Sequence, residues 1–217
     1  MPAAATSAAT GRPPPNPGFE HIQRSWDATQ GRWSAKILPG EYYVTGQDEA
    51  ITTILGSCIS ACIRDRELRI GGMNHFMLPE DTSDGQSSWM DKATGLATRY
   101  GSFAMESLVN EILKRGGRRQ RLEVKLFGGG KMLASMIDVG ARNIAFARQW
   151  LRTEGFILVA EDVGDTVPRR IVYTPADGRV RVRHLMSMES RAIATREQNY
   201  LSTFRQKPDG DDIELFD

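Results

Sequence analysis

Ala50-Ile51-Thr52-Thr53-Ile54-Leu55-Gly56-Ser57-Cys58-Ile59-Ser60-Ala61-Cys62-Ile63-Arg64-Asp65-Arg66-Glu67-Leu68-Arg69-Ile70-Gly71-Gly72-Met73-Asn74-His75-Phe76-Met77-Leu78-Pro79 sets two apolar runs on either side of a polar reversal. Cys58 follows a Gly-Ser turn and opens the run Ile59–Ile63, which is short and rich in β-branched residues, so it predicts a strand. Arg64 to Glu67 is a polar reversal. Ile70 to Leu78 reads as the return strand and carries His75 back past Cys58. A thiol and an imidazole brought together in this way are the two parts a cysteine hydrolase needs.

Working outward, residues 19–36 hold Trp26 and Trp33 in a polar setting and read as a short helix lying on the domain. Residues 37–44 alternate toward a strand, with Pro39-Gly40 as a turn. After a Ser-, Asp- and Gly-rich loop over 80–95, residues 98–114 place apolar side chains at helical spacing, stopped by Gly116-Gly117. Residues 122–127 alternate as a strand ending in three glycines. Residues 143–153 form a second helix, and 156–163, 170–174 and 180–184 three further strands, the last two joined by the turn Pro175-Ala176-Asp177-Gly178. A short helix over 197–204 precedes an acidic tail. Strands outnumber helices and both hairpins are antiparallel, so the expected class is α+β: a β-sandwich-like layered sheet core flanked by helices.

The ends differ in composition. Residues 1–18 are rich in Ala, Pro, Ser and Thr and are expected to form a disordered tail. A single folded domain then spans 19–185, and 186–217 is a polar extension. The chain has 217 residues, 40% hydrophobic and 25% charged, with a formal net charge of +1. That balance gives no general pull toward nucleic acid or an anionic membrane. The basic cluster of Lys114, Arg115, Arg118, Arg119 and Arg121 has no interleaved aromatics to stack bases and reads as a solvated helix end. No apolar run has the length of a membrane span, and the N-terminus lacks the basic and apolar regions of a secretory signal. The expected compartment is a reducing cytoplasm, where a cysteine is more often chemical than structural.

Zinc at Cys58 and Cys62 does not fit a strand. Residues four apart lie about 13 Å from each other, whereas two thiolates on one zinc must approach within about 4 Å. The same separation excludes a disulfide. No metal and no cofactor is expected.

Thr52, Gly56-Ser57-Cys58, Gly71-Gly72-Met73-Asn74-His75 and Met77-Leu78-Pro79 together resemble the signature of the CheD chemoreceptor glutamine deamidases. The resemblance extends over about residues 38–185, through Arg99-Tyr100, Ala104-Met105, the run Lys125–Gly130 and Gly140-Ala141-Arg142-Asn143. It departs at Gly164-Asp165 and Pro168-Arg169-Arg170, where the family usually carries Gly-Gly and then Gly-Arg. The resemblance implies a core similar to the deamidase toxins of the cytotoxic necrotizing factor type. It implies deamidation of receptor glutamines to glutamate, with Cys58 as nucleophile, His75 as acid and base, and Thr52 orienting the imidazole. The imidazole is expected to lower the thiol pKa, and the turn at Gly56 and Ser57 to offer oxyanion donors. The implied partners are cytoplasmic helices of methyl-accepting chemoreceptors and a CheC-type phosphatase. The other functional class is a non-catalytic adaptor for the same partners. Alone, Cys58 would read as a core residue and His75 as a satisfied interior histidine; in combination and order they read as a site.

Overall fold

The computed structural model of the chain describes residues 13–78, 96–132 and 138–206. Ten strands and three helices occur among them, in the order β1 (Gln23–Asp27), β2 (Arg32–Lys36), β3 (Tyr42–Thr45), β4 (Glu49–Leu55), β5 (Ile59–Asp65), β6 (Gly71–Asn74), α1 (Leu96–Lys114), β7 (Leu122–Gly128), α2 (Val139–Thr153), β8 (Ile157–Val163), β9 (Arg169–Thr174), β10 (Arg179–His184) and α3 (Ser187–Gln206). They form two five-stranded sheets, β1-β2-β4-β9-β10 and β3-β6-β5-β7-β8. The expected α+β class with a layered sheet core is met.

Both hairpins of the sequence reading are present and antiparallel: β5 pairs with β6 and β9 with β10. Two parallel pairs add to that reading, β2 with β4 and β7 with β8. The second is the product of a β7-α2-β8 crossover, since parallel neighbours need a long connection. Helices α1 and α2 both pack on the second sheet, α1 against β3, β5 and β6, and α2 against β5, β7 and β8. In strand β5, Ile59, Ser60, Ala61, Cys62 and Ile63 are all buried. The strand is covered on both faces, so its apolar run is nearly continuous instead of alternating.

Residues 19–36 fold as the β1–β2 hairpin and not as a helix. Trp26 stands directly opposite Trp33, with ring centroids 6.0 Å apart and planes at 72°, while Gly31 supplies the turn at φ 62°. A cross-strand aromatic pair outweighs the weak helical tendency of a short polar segment. The strand expected over 37–44 begins only at Tyr42, because Leu38 to Glu41 closes a turn through Gly40 at φ 86°. The expected loop over 80–95 lies outside the described residues, as do residues 1–12 of the expected tail. Asn16, by contrast, is buried, and its amide donates to the Tyr43 hydroxyl (2.7 Å) and to the Glu49 carboxylate (3.2 Å).

Candidate active site

The turn between β4 and β5 is built so that its backbone N–H groups face one way. The carbonyl of Gly56 accepts from Gly130 N (2.7 Å), that of Ser57 from Asn143 Nδ2 (2.8 Å), and that of Cys58 from Gly129 N (2.7 Å). With three successive carbonyls held from behind, the amides of Gly56, Ser57 and Cys58 converge in front. The glycine run after β7 makes this possible. Gly128 adopts φ 105°, and a Cβ there would overlap the Cys58 carbonyl oxygen. Asn143 also accepts from Leu78 N (2.9 Å), which ties α2 to the segments just before β5 and just after β6. The loop at Gly164-Asp165, where the sequence departs from the family pattern, has a structural part in this. Asp165 O accepts from Lys131 N (2.7 Å), and the buried Arg169 guanidinium holds the carbonyls of Asp162 and Gly164.

The cradle is filled. Glu197 of α3 accepts from Gly56 N at 3.0 Å and Cys58 N at 3.2 Å through Oε1, and from Ser57 N at 2.8 Å and Ser57 Oγ at 2.7 Å through Oε2. Gly56 leaves room for it: a Cβ at that position would lie 2.7 Å from the carboxylate. The sequence reading does not single out Glu197. A signal is there, because Ile193, Glu197 and Leu201 share one helical face at a spacing of four, and all three are buried. An acidic residue on a buried stripe needs a partner.

Ile59 and Phe76 exchange backbone hydrogen bonds of 2.9 and 3.0 Å. This bridge sets Met77 opposite Cys58, and Cys58 Sγ lies 3.9 Å from Met77 Sδ. His75 is then the diagonal neighbour on the same face, a relation that brings α-carbons within roughly 7–8 Å and side chains closer. The hairpin register thus returns the histidine past the cysteine.

The threonine assignment is corrected. Thr53, not Thr52, meets the imidazole, with Oγ1 2.8 Å from His75 Nδ1. Neighbouring strand residues point to opposite faces, and the Thr52 hydroxyl donates instead to the Ile171 carbonyl of β9 at 2.9 Å. Thr53 also fixes the tautomer. Its single hydroxyl proton goes to the Ile37 carbonyl at 2.8 Å, so the same oxygen must accept from Nδ1–H. Nε2 is left with a lone pair, buried and without a hydrogen-bond partner among the described residues. That is the base form of the ring.

The expected lowering of the thiol pKa is also corrected for this arrangement. Burial pushes the Cys58 thiol well above its ordinary value, and the Glu197 carboxylate adds to the rise. Burial likewise pulls His75 down, to about 4, against the opposing pull of Glu197. Thiol and imidazole are both neutral at pH 7. Among the described residues no group of three or more His, Cys, Asp or Glu side chains is placed to hold a metal ion, and no helix is long and apolar enough to cross a membrane.

Cys58 thus stands beside three converging amides, with the base-form ring of His75 on the same face of an α+β scaffold. The sequence profile of the CheD chemotactic sensory transduction family matches residues 77–184. The chain is 50% identical over 200 residues to a probable chemoreceptor glutamine deamidase CheD of Halorhodospira halophila, covering 92% of each chain. The corresponding protein of Hydrogenovibrio crunogenus is 50% identical over 196 residues, 90% of this chain and 100% of the relative. That of Hahella chejuensis is 45% identical over 207 residues, 94% of this chain and 96% of the relative. The chain belongs to the CheD family.

Proposed function

We propose that this protein is a chemoreceptor glutamine deamidase whose nucleophile is Cys58. The observation that carries the reading is the shared face of Cys58 and His75 beside a cradle of three amides and one hydroxyl, in a chain of this family. Nε2 of His75, unprotonated because Thr53 holds the proton on Nδ1, removes the thiol proton as Cys58 Sγ attacks the side-chain carboxamide carbon. The carbonyl oxygen becomes an oxyanion received by the amides of Gly56, Ser57 and Cys58. The imidazolium returns its proton to the nitrogen, ammonia leaves, and a glutamyl thioester remains. Water, deprotonated by the same Nε2, then releases glutamate and restores the thiol. A low thiol pKa is not required at rest, since proton transfer to Nε2 and attack on the carboxamide can be concerted within one buried site.

Incubation with a chemoreceptor cytoplasmic fragment tests this. Ammonia is expected in step with conversion of glutamine to glutamate in the fragment, and Cys58→Ala is expected to lower the rate by on the order of 10³-fold or more. Equal ammonia release by the variant would refute the mechanism. The CheC-type phosphatase partner is carried by the family resemblance alone, and a binding titration between the two proteins tests it.

A further inference from the structure

We propose that Glu197 is an internal ligand of the amide cradle, and that α3 is an autoinhibitory helix presenting in cis the product form of the substrate side chain. This rests on the deamidase reading, because glutamate is what that reaction leaves behind. The fit is chemical as well as spatial. A glutamate carboxylate has the shape of the glutamine carboxamide, and its oxygens take the three amides that would receive the reaction's oxyanion, and the Ser57 hydroxyl as well.

Access supports the same assignment. Cys58 is 0% exposed, and the cleft beside His75 and Glu197 measures about 110 Å³. Cys58 is not among the residues that line this cleft, whereas Ile193, Arg196 and Glu197 of α3 are. A substrate glutamine reaches Cys58 only when α3 withdraws. The described anchors of the helix include Ile193, Glu197 and Leu201 on its buried stripe, and the Tyr200 hydroxyl 2.6 Å from that of Tyr100 on α1.

A catalytic part for Glu197 fits less well. The imidazole is already oriented by Thr53, and both carboxylate oxygens are spent on the cradle. An anion there also opposes formation of the thiolate and of the oxyanion, which is the effect of an inhibitor.

The test compares the full chain, Glu197→Ala and Gln198→Ala, an exposed neighbour on the same helix, by two readouts. One is the rate of iodoacetamide alkylation at Cys58, read by peptide mapping; the other is kcat/KM for ammonia release from a receptor fragment. Glu197→Ala is expected to raise both by about tenfold or more, because the competent population is no longer taxed by α3. Gln198→Ala is expected to change neither. Unchanged alkylation in a folded Glu197→Ala variant would overturn the proposal, and a fall in ammonia release would make Glu197 catalytic instead. Faster alkylation with no ammonia from any of the three would keep the plug and sink the deamidase reading. Glu197→Met keeps the length and removes the carboxylate, and carries the same comparison if the alanine variant does not fold.

Discussion

At the scale of the residue, one hydroxyl sets the protonation of one ring. Thr53 Oγ1 accepts from His75 Nδ1–H because its own proton is committed to the Ile37 carbonyl. Thr53→Ala is therefore expected to lower deamidation by roughly 10²-fold, the scale of a misplaced catalytic group, while Thr52→Ala stays near wild type. Steady-state kinetics of the two variants check this, and the reverse ranking would reinstate Thr52. His75 also makes stability depend on pH. Its pKa is about 4 in the fold against an ordinary value near 6.5. Between those limits the unfolded chain binds the proton and the folded chain does not, so stability rises with pH through that window. It is fully present above about pH 6.5 and lost as pH falls toward 4, a difference of about 3 kcal/mol. Urea unfolding of wild type and His75→Gln across that range is expected to show a shallower slope in the variant.

At the scale of the element, much of the site is legible in the sequence because it is local. Cys58 and His75 lie on one hairpin, and β-branched residues, a polar reversal and a Gly-Ser turn mark that hairpin. The threonine register is not legible in the same way. Thr52 and Thr53 stand on β4, where every residue from Glu49 to Thr53 is buried, so no alternation tells which threonine faces His75. The β1–β2 hairpin escapes a sequence reading because its evidence is a cross-strand pair, Trp26 with Trp33, and not a periodicity. Glu197 lies 139 residues from Cys58, and only the acidic position on the buried face of α3 hints at it. Strand β5 supports one further expectation. Cys62 is 1% exposed, faces Met73 across the ladder, and is a small apolar filler. Cys62→Ser is expected to keep activity and lose about 1–3 kcal/mol of stability if the hydroxyl finds no partner. Chemical denaturation together with ammonia release measures both.

At the scale of the whole molecule, a buried charge network centred on Glu49 of β4 ties the first sheet to β3 of the second. Glu49 accepts from Arg24, Tyr43, Thr45 and Asn16, and its ion pair with Arg24 spans 2.9 Å with both side chains enclosed. The same arginine donates to the carbonyls of Pro13 and Pro14, which fastens the N-terminal segment to the domain. Glu49→Ala leaves Arg24 buried without its counter-charge and is expected to cost about 3–5 kcal/mol by urea unfolding. The site lies where the two sheets, α2 and α3 meet: β4 and β5 supply the turn, the glycines after β7 support it, and α3 covers it. In the proposed reaction Cys58, and not the second thiol four residues on, forms the bond to substrate. Substoichiometric iodoacetamide on the native chain, with peptide mapping and residual ammonia release followed together, tests that claim most directly. Slow labelling confined to Cys58 is expected, with activity falling in proportion to that label. Modification of Cys62 first, with activity lost in step, would contradict it.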